Sequence, residues 1–329
     1  GLWRSDDGGT TWRQMDAEDR RVGTGQGGYN CGGYVSSSDP DVVYTINTSS
    51  YVSRDGGNTF TGFKGAPGGD DPQQLWIDPT NGQRMFLGMD QGATVSLDGG
   101  RTWSTWYNQS TDQVYHISTD NSFPYWIYAP QQDAGAIRTR SRGNFGEITP
   151  LDWNPVGTWE WGTLVPDPLD PNIAYGSGSG IQKITYPSEQ IIDVGPNADP
   201  GAHLRTSFSM PIVWAPWNQH ELLAGYQYLM ATTDGGAHWR KLSPDLGYPK
   251  GVKPPPDSEA DRPARPGAVR GGAIESISAS TVARGTIWVG TSNCLIMVTR
   301  DEGKTWADAS IPGLPDSGFA NLTSVEASH

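Results

Sequence analysis

Apolar residues in this chain come in short runs, and the runs come in pairs separated by a turn. Tyr34-Val35 is followed across Ser38-Asp39-Pro40 by Val42-Val43-Tyr44. Leu75-Trp76-Ile77 is followed across Asp78-Pro79 by Met85-Phe86-Leu87. Val114-Tyr115-His116-Ile117 leads to Trp126-Ile127-Tyr128, and Leu164-Val165 leads through Asp167-Pro168 to Ile173-Ala174-Tyr175. Ile212-Val213-Trp214 precedes Leu222-Leu223-Ala224, and Ile274-Glu275-Ser276-Ile277 precedes Ile287-Trp288-Val289. Short runs of this kind bounded by Gly, Pro and Asp are strand signals. No stretch keeps a helical period over three turns, so the pattern predicts an all-β chain of antiparallel strands.

A second pattern runs across the first. Ser5-Asp6-Asp7-Gly8-Gly9-Thr10-Thr11-Trp12 returns as Ser53-Arg54-Asp55-Gly56-Gly57-Asn58-Thr59-Phe60 and as Ser96-Leu97-Asp98-Gly99-Gly100-Arg101-Thr102-Trp103. Looser copies are Thr232-Thr233-Asp234-Gly235-Gly236-Ala237-His238-Trp239 and Thr299-Arg300-Asp301-Glu302-Gly303-Lys304-Thr305-Trp306. Paired glycines supply the positive φ of a tight hairpin. The acid can accept from N–H groups of its own turn, and the hydroxyl adds a second local bond. The aromatic ring that follows opens the next strand and can pack beneath the turn. Asp7, Asp55, Asp98, Asp234 and Asp301 are therefore expected to be structural.

This octapeptide is the Asp-box, or BNR repeat. The chain resembles the Asp-box β-propellers, a group that includes sialidases, xyloglucanase-type glycoside hydrolases, sortilin-like receptor ectodomains and plant photosystem assembly factors. A decayed copy is visible at Thr139-Arg140-Ser141-Arg142-Gly143-Asn144-Phe145, and another position falls near Tyr186, where no copy survives. That makes seven positions at the ~40–50-residue period of a four-stranded blade. The resemblance implies a seven-bladed β-propeller of four-stranded antiparallel blades with Asp-box hairpins, filling residues 1–329 as a single domain. Residues 1–12 and 320–329 are expected to share the first blade and latch the ring. The second strand of that blade is missing. The chain is accordingly expected to be a piece of a longer polypeptide, for which the two-propeller layout of xyloglucanase-type enzymes fits. The Pro-rich stretch 244–268 reads as an inserted blade-to-blade loop that walls a cleft or docks a neighbouring domain.

Composition narrows the partners. The 43 glycines and 14 tryptophans suit many turns and large fillers between blades, and the net charge of −13 argues against nucleic acid or an anionic membrane. No apolar run is long enough to span a bilayer. The two cysteines, Cys31 and Cys294, match no metal spacing. They read as buried free thiols, with one bridge between them left open. No twelve-residue calcium loop is present, so neither metal nor cofactor is expected. Three sequons begin at Asn47, Asn108 and Asn321.

In a propeller of this type the repeat hairpins point away from the working face. Chemistry is therefore expected at the starts of the inner strands and in the second-to-third-strand loops, where carboxylates, amides and aromatic rings interleave as a sugar ligand needs. Glu160, between Trp159 and Trp161, is the expected general acid, its pKa raised by apolar surroundings. Asp70 or Asp71 is the expected base. Asp112, Gln131, Asp133, Trp159, Trp161, Arg205, Tyr226, Tyr228 and Arg270 are the expected ligand contacts. A sialidase would need three arginines around a carboxylate, and only Arg205 and Arg270 are at hand, with Arg138 far along its strand. The function expected is an extracellular polysaccharide-binding or polysaccharide-hydrolysing propeller, secreted, periplasmic or on the cell surface, with a glycan as ligand and a second propeller as a further partner. The alternatives are a non-catalytic propeller that grips a peptide or protein, and a structural module of a secreted assembly.

Overall fold

Each acid–glycine–glycine turn of the sequence closes a hairpin in the computed structural model of the chain. The structure describes residues 1–23, 30–64, 71–90, 92–105, 112–133, 135–196, 203–249, 251–253, 271–313 and 322–327. The strands make seven antiparallel sheets, each joining consecutive strands of the chain in order. The fold is a seven-bladed β-propeller.

The chain divides into an amino-terminal unit, Gly1–Thr111, and a carboxy-terminal unit, Asp112–His329. The first unit holds three sheets: Trp3–Arg4 with Arg13–Gln14; then Gly32–Val35, Val43–Ile46, Ser50–Ser53 and Thr61–Lys64; then Pro72–Ile77, Met85–Met89 and Gly92–Ser96. The second unit holds four sheets of four strands. The fourth sheet is Ser118–Thr119, Trp126–Gln131, Gly135–Arg140 and Trp153–Val156. The fifth is Leu164–Pro166, Ile173–Ser177, Ile181–Thr185 and Gln190–Asp193, and the sixth is Ile212–Ala215, Asn218–Gly225, Leu229–Thr232 and Arg240–Lys241. The seventh is Ile274–Ala279, Ile287–Thr291, Ile296–Thr299 and Ala307–Asp308. The paired apolar runs of the sequence are the first and second strands of these sheets, with one exception. Only Val114 of the run Val114–Ile117 pairs, through a single bridge to Gln131, and the first strand of the fourth sheet is the two residues directly after the run, Ser118–Thr119.

The octapeptides share one hydrogen-bond pattern. The leading hydroxyl of Ser5, Ser53, Ser96, Thr232 or Thr299 donates to the acid's Oδ1 at 2.8–2.9 Å. It accepts in turn from the N–H of the second glycine at 2.7–3.0 Å. The residue four after the acid donates its N–H to Oδ1 at 2.8–2.9 Å. Its side chain closes on Oδ2 at 2.6–2.7 Å, through a threonine hydroxyl in four copies and His238 Nδ1 in the other. In the second, sixth and seventh sheets the turn joins the third strand to the fourth. These bonds all favour the charged acid. They hold Asp7, Asp55, Asp98, Asp234 and Asp301 at about 2, mainly through the residue four places on.

The second glycine of the turn also lets sheets approach one another. Gly236, at φ +93°, lies where a Cβ would meet Val194 O at 2.7 Å, and Gly303, at φ +91°, where it would meet Leu242 O at 2.4 Å. The indoles that follow stitch the same seams, Trp239 Nε1 donating to Val194 O at 2.7 Å and Trp306 Nε1 to Leu242 O at 3.1 Å. Apolar cores fill the seams between consecutive sheets. One joins Tyr44, Ile46 and Val52 of the second sheet to Leu75, Met85, Leu87 and Met89 of the third. Others lie between the fourth and fifth, fifth and sixth, and sixth and seventh sheets. The segment 322–327 lies along the seventh sheet, with Leu322 O accepting from Ser276 Oγ and Ala327 N–H donating to Ser278 Oγ.

One expectation needs correction. Cys31 and Cys294 are both unbridged, but only Cys294 is buried, because Cys31 faces solvent beside the first strand of its sheet. Asn47, which opens a sequon, is 1 % exposed, so a glycan there would have no room. Asn108 and Asn321 lie outside the described residues, as do Asp70, Gln91, Arg270 and most of the Pro-rich stretch. No helix among the described residues is long and apolar enough to cross a membrane.

Two measurements follow from this construction. Leu87, wholly buried in its seam, should cost about 2–5 kcal/mol when cut to Ala, read by denaturant unfolding. The hairpin acids sit below their unfolded value near 3.8, so their contribution is complete above about pH 4 and is lost as pH falls towards 2. Asp98→Asn should lower the melting temperature at neutral pH and flatten that acid limb. An unchanged limb would mean the turn acid adds nothing to stability.

Candidate functional site

Three blade-to-blade connections of the carboxy-terminal unit bring a row of aromatic rings together. Tyr115 comes from the approach to the fourth sheet, Trp159 and Trp161 from the link between the fourth and fifth, and Phe208 from the link between the fifth and sixth. The rings touch in sequence. Tyr115 meets Phe208 edge-on at 5.9 Å, Phe208 stacks on Trp161 at 5.8 Å and 22°, and Trp161 leans on Trp159 at 6.1 Å. Phe208 is 61 % exposed, which leaves an aromatic surface open to solvent. The row can form because Gly178 has no side chain: a Cβ there would stand 2.2 Å from Trp159 Cγ. Trp159 Nε1 is buried and makes no hydrogen bond among the described residues, an unmet donor that costs about 1–3 kcal/mol.

Polar groups edge the row. Glu160 is half-buried between the two indoles, and its Oε2 accepts the Asp133 N–H at 2.8 Å. Asp133 is held at φ +61° in the hairpin after the second strand of the fourth sheet, a left-handed conformation that Asp tolerates better than most residues. Gln132, in the same hairpin, accepts from Tyr115 Oη at 3.1 Å and Gln113 Nε2 at 3.3 Å. Neighbouring atoms desolvate Asp112 and push its carboxyl up to about 6, although much of the residue faces solvent, which works against that rise. Burial holds the His116 imidazole below its usual range.

The sequence pattern passed over Glu275, which reads there as part of an apolar strand. The pairing of its strand slips between Ile274 and Ser276, so Glu275 is the extra residue of a β-bulge, a device that re-aims a side chain. It is 7 % exposed. Burial raises its pKa, and hydrogen bonding by the Ser207 side chain and the Ser209 backbone partly offsets the rise. Those two serines flank Phe208, so the buried acid and the exposed ring share one support. Two signals were legible: a carboxylate inside an apolar run, and Ser207-Phe208-Ser209 in a link equivalent to Trp159-Glu160-Trp161.

The other expected residues have these surroundings. Asp71 belongs to the amino-terminal unit, at φ +43°, and accepts from Asn30 Nδ2 at 3.3 Å. Tyr226 is 0 % exposed. It is wholly buried in the seam between the fifth and sixth sheets, where desolvation raises its phenol pKa. The Tyr228 ring is covered by Lys241 Nζ at 3.7 Å. Gln131 lies within a strand, paired with Gly135. Arg205 is a strut: one terminal nitrogen donates to both Asp245 oxygens at 2.8 Å, and the guanidinium also reaches Gly272 O. Both side chains are largely buried, and breaking such a pair costs about 3–5 kcal/mol.

No family model matches the chain, and no curated protein matches it. Among solved structures it is similar to YCF48 bound to D1 peptide, at 13 % identity over 82 % of this chain and 79 % of that one, TM-score 0.35. It is also similar to the GH74 enzyme of Niastella koreensis, at 13 % identity over 85 % of this chain and 50 % of that one, TM-score 0.23. A third is the GH74 xyloglucanase from Xanthomonas campestris, at 16 % identity over 86 % of this chain and 60 % of that one, TM-score 0.29. The chain thus spans about half the length of the Niastella koreensis enzyme.

Glu275 yields a measurable pH effect. Its folded pKa lies above its unfolded one, so the folded state bears the cost of a buried charge at neutral pH and is relieved of it as pH falls through the carboxyl's titration. Glu275→Gln should raise the melting temperature at neutral pH, and the gain should vanish once the wild-type acid is protonated. A gain independent of pH would contradict that origin.

Proposed function

We propose that this chain is an Asp-box propeller that binds a polysaccharide outside the cytoplasm, with the row Tyr115–Phe208–Trp161–Trp159 as its platform. The single observation that carries the reading is that row, open at Phe208 and edged by carboxyl and amide groups. Flat rings offer sugar C–H faces a surface, while carboxylates and amides pair with hydroxyls. The reaction assigned is glycosidic hydrolysis, which needs one carboxyl to protonate the leaving oxygen and a second to act as base or nucleophile. Glu160 is the acid inferred from sequence, with Asp70 or Asp71 as its counterpart. Glu275 is a further candidate acid, since its burial favours the protonated form.

One observation favours a second reading, a propeller that grips a peptide or protein without cleaving anything. Glu160 already braces the Asp133 hairpin, which is a structural use of the carboxylate. The two readings separate in one experiment. Retardation of the purified chain in gels containing xyloglucan or mixed-linkage β-glucan should weaken about tenfold in Trp161→Ala or Phe208→Ala, roughly 1.4 kcal/mol. Reducing-sugar release should fall with Glu160→Gln while retardation persists. Glucan binding without any release would leave the non-catalytic reading, and retardation unaffected by either aromatic variant would remove the platform.

A further inference from the structure

The fourth sheet carries only a decayed copy of the hairpin repeat. Thr139-Arg140-Ser141-Arg142-Gly143-Asn144-Phe145 has no acid to tie the turn. The sideways tie of the other copies is kept, Ser141 N–H donating to Tyr125 O at 2.8 Å as Gly56, Gly99 and Glu302 N–H groups donate to Asp41, Gln83 and Gly285 O, but the bonds of the acid are gone. Phe60, Trp103, Trp239 and Trp306, the corresponding rings of four other copies, are buried or half-buried, while Trp12 of the first copy is 59 % exposed. Phe145 is 91 % exposed, and it shares this end of the sheet with Phe123 at 86 % and Leu151 at 95 %.

Arginines stand among these apolar groups. Arg142 lies over the Phe123 ring at 5.9 Å and Arg140 over Trp126 at 4.4 Å. Behind them Arg138 is packed against Trp126 and Tyr186, its buried Nε without an acceptor. Among the described residues none of the three joins an ion pair. Nearby acids are occupied. Asp120 accepts from Ser122 and the Trp126 N–H, and Asp152 from the N–H and hydroxyl of Thr149. Glu147 is the remaining carboxylate of the two hairpins. The Asp120–Ser122 turn also forms one wall of a groove of about 350 Å³, whose other side is Pro166, Pro168, Leu169, Pro171 and Trp214.

We propose that this end of the fourth sheet docks a partner protein through a segment that alternates acidic and apolar side chains. Its carboxylates would meet Arg140 and Arg142, and its apolar side chains would cover Phe123, Phe145 and Leu151 and enter the groove. A long polyanion fits less well, because it has no use for three exposed apolar residues. The surface lies at the opposite end of the fourth sheet from Gln131 and Asp133, so it is separate from the aromatic row.

The test uses the whole chain and a dye-labelled synthetic peptide alternating Glu with Leu and Phe, read by fluorescence anisotropy. Controls are a peptide with Gln in place of Glu, and poly-glutamate of the same length. Saturable binding of the Glu–Leu–Phe peptide is expected, weakening with salt, about tenfold weaker in the Arg140→Glu/Arg142→Glu double variant and several-fold weaker in Phe145→Ser. These positions are exposed, and circular dichroism melts would verify that the variants fold. Absence of binding, binding untouched by the arginine reversals, or equal binding of the Gln peptide would overturn the proposal. Poly-glutamate binding as tightly as the mixed peptide would overturn its apolar half and point to a plain polyanion site. Glucan retardation in the same variants should stay at the wild-type level, so loss of the glycan reading and loss of this one are told apart.

Discussion

The hydrogen bonds between a hairpin aspartate and the residue four places after it are what the rest of the molecule depends on. They fix the corner at which the third strand turns into the fourth. In the sixth and seventh sheets they place a bare glycine where the preceding sheet's backbone must pass, and they aim an indole at that same backbone. Each corner is satisfied by its own residues, which is why the same geometry recurs in both halves of the chain without any ligand. Stability is thereby distributed: the seams carry the apolar burial, and the corners hold the seams in register.

This self-sufficiency explains what the sequence made legible. The strand runs and the octapeptides are local, and both could be read from composition and spacing. The strand order, the position of the turns and the all-β class follow from them. The run Val114–Ile117 misled because apolar character alone does not distinguish a paired strand from a segment packing its rings against other loops. Tyr115 belongs to the second kind.

The site was legible only in part, for a physical reason. Trp159, Glu160 and Trp161 could be found because an acid between two indoles is conspicuous along the chain. Phe208 and Glu275 left only faint signals, an acid inside an apolar run and a ring between two serines, because what makes them notable is their juxtaposition: the two serines that bracket the ring reach the bulged acid of a strand far downstream. Tyr226 was misplaced because aromatic residues at strand ends serve cores as readily as surfaces. Arg205 was misplaced because its partner, Asp245, lies in an insertion whose ends the sequence does not bring together.

The two ends of that insertion are fastened to the same place. Gly272 N–H donates to Gly247 O at 2.8 Å, and Asn293 Nδ2 donates to the same oxygen at 3.0 Å, while the Arg205–Asp245 strut braces the site from below. The chain therefore leaves and re-enters the framework at one riveted point. Closure entropy grows only slowly with contour length, about 0.6 kcal/mol per doubling. Lineages of this protein are free to lengthen, shorten or exchange what lies between the rivets at little thermodynamic cost, which makes this gateway the natural place for new recognition to be grafted.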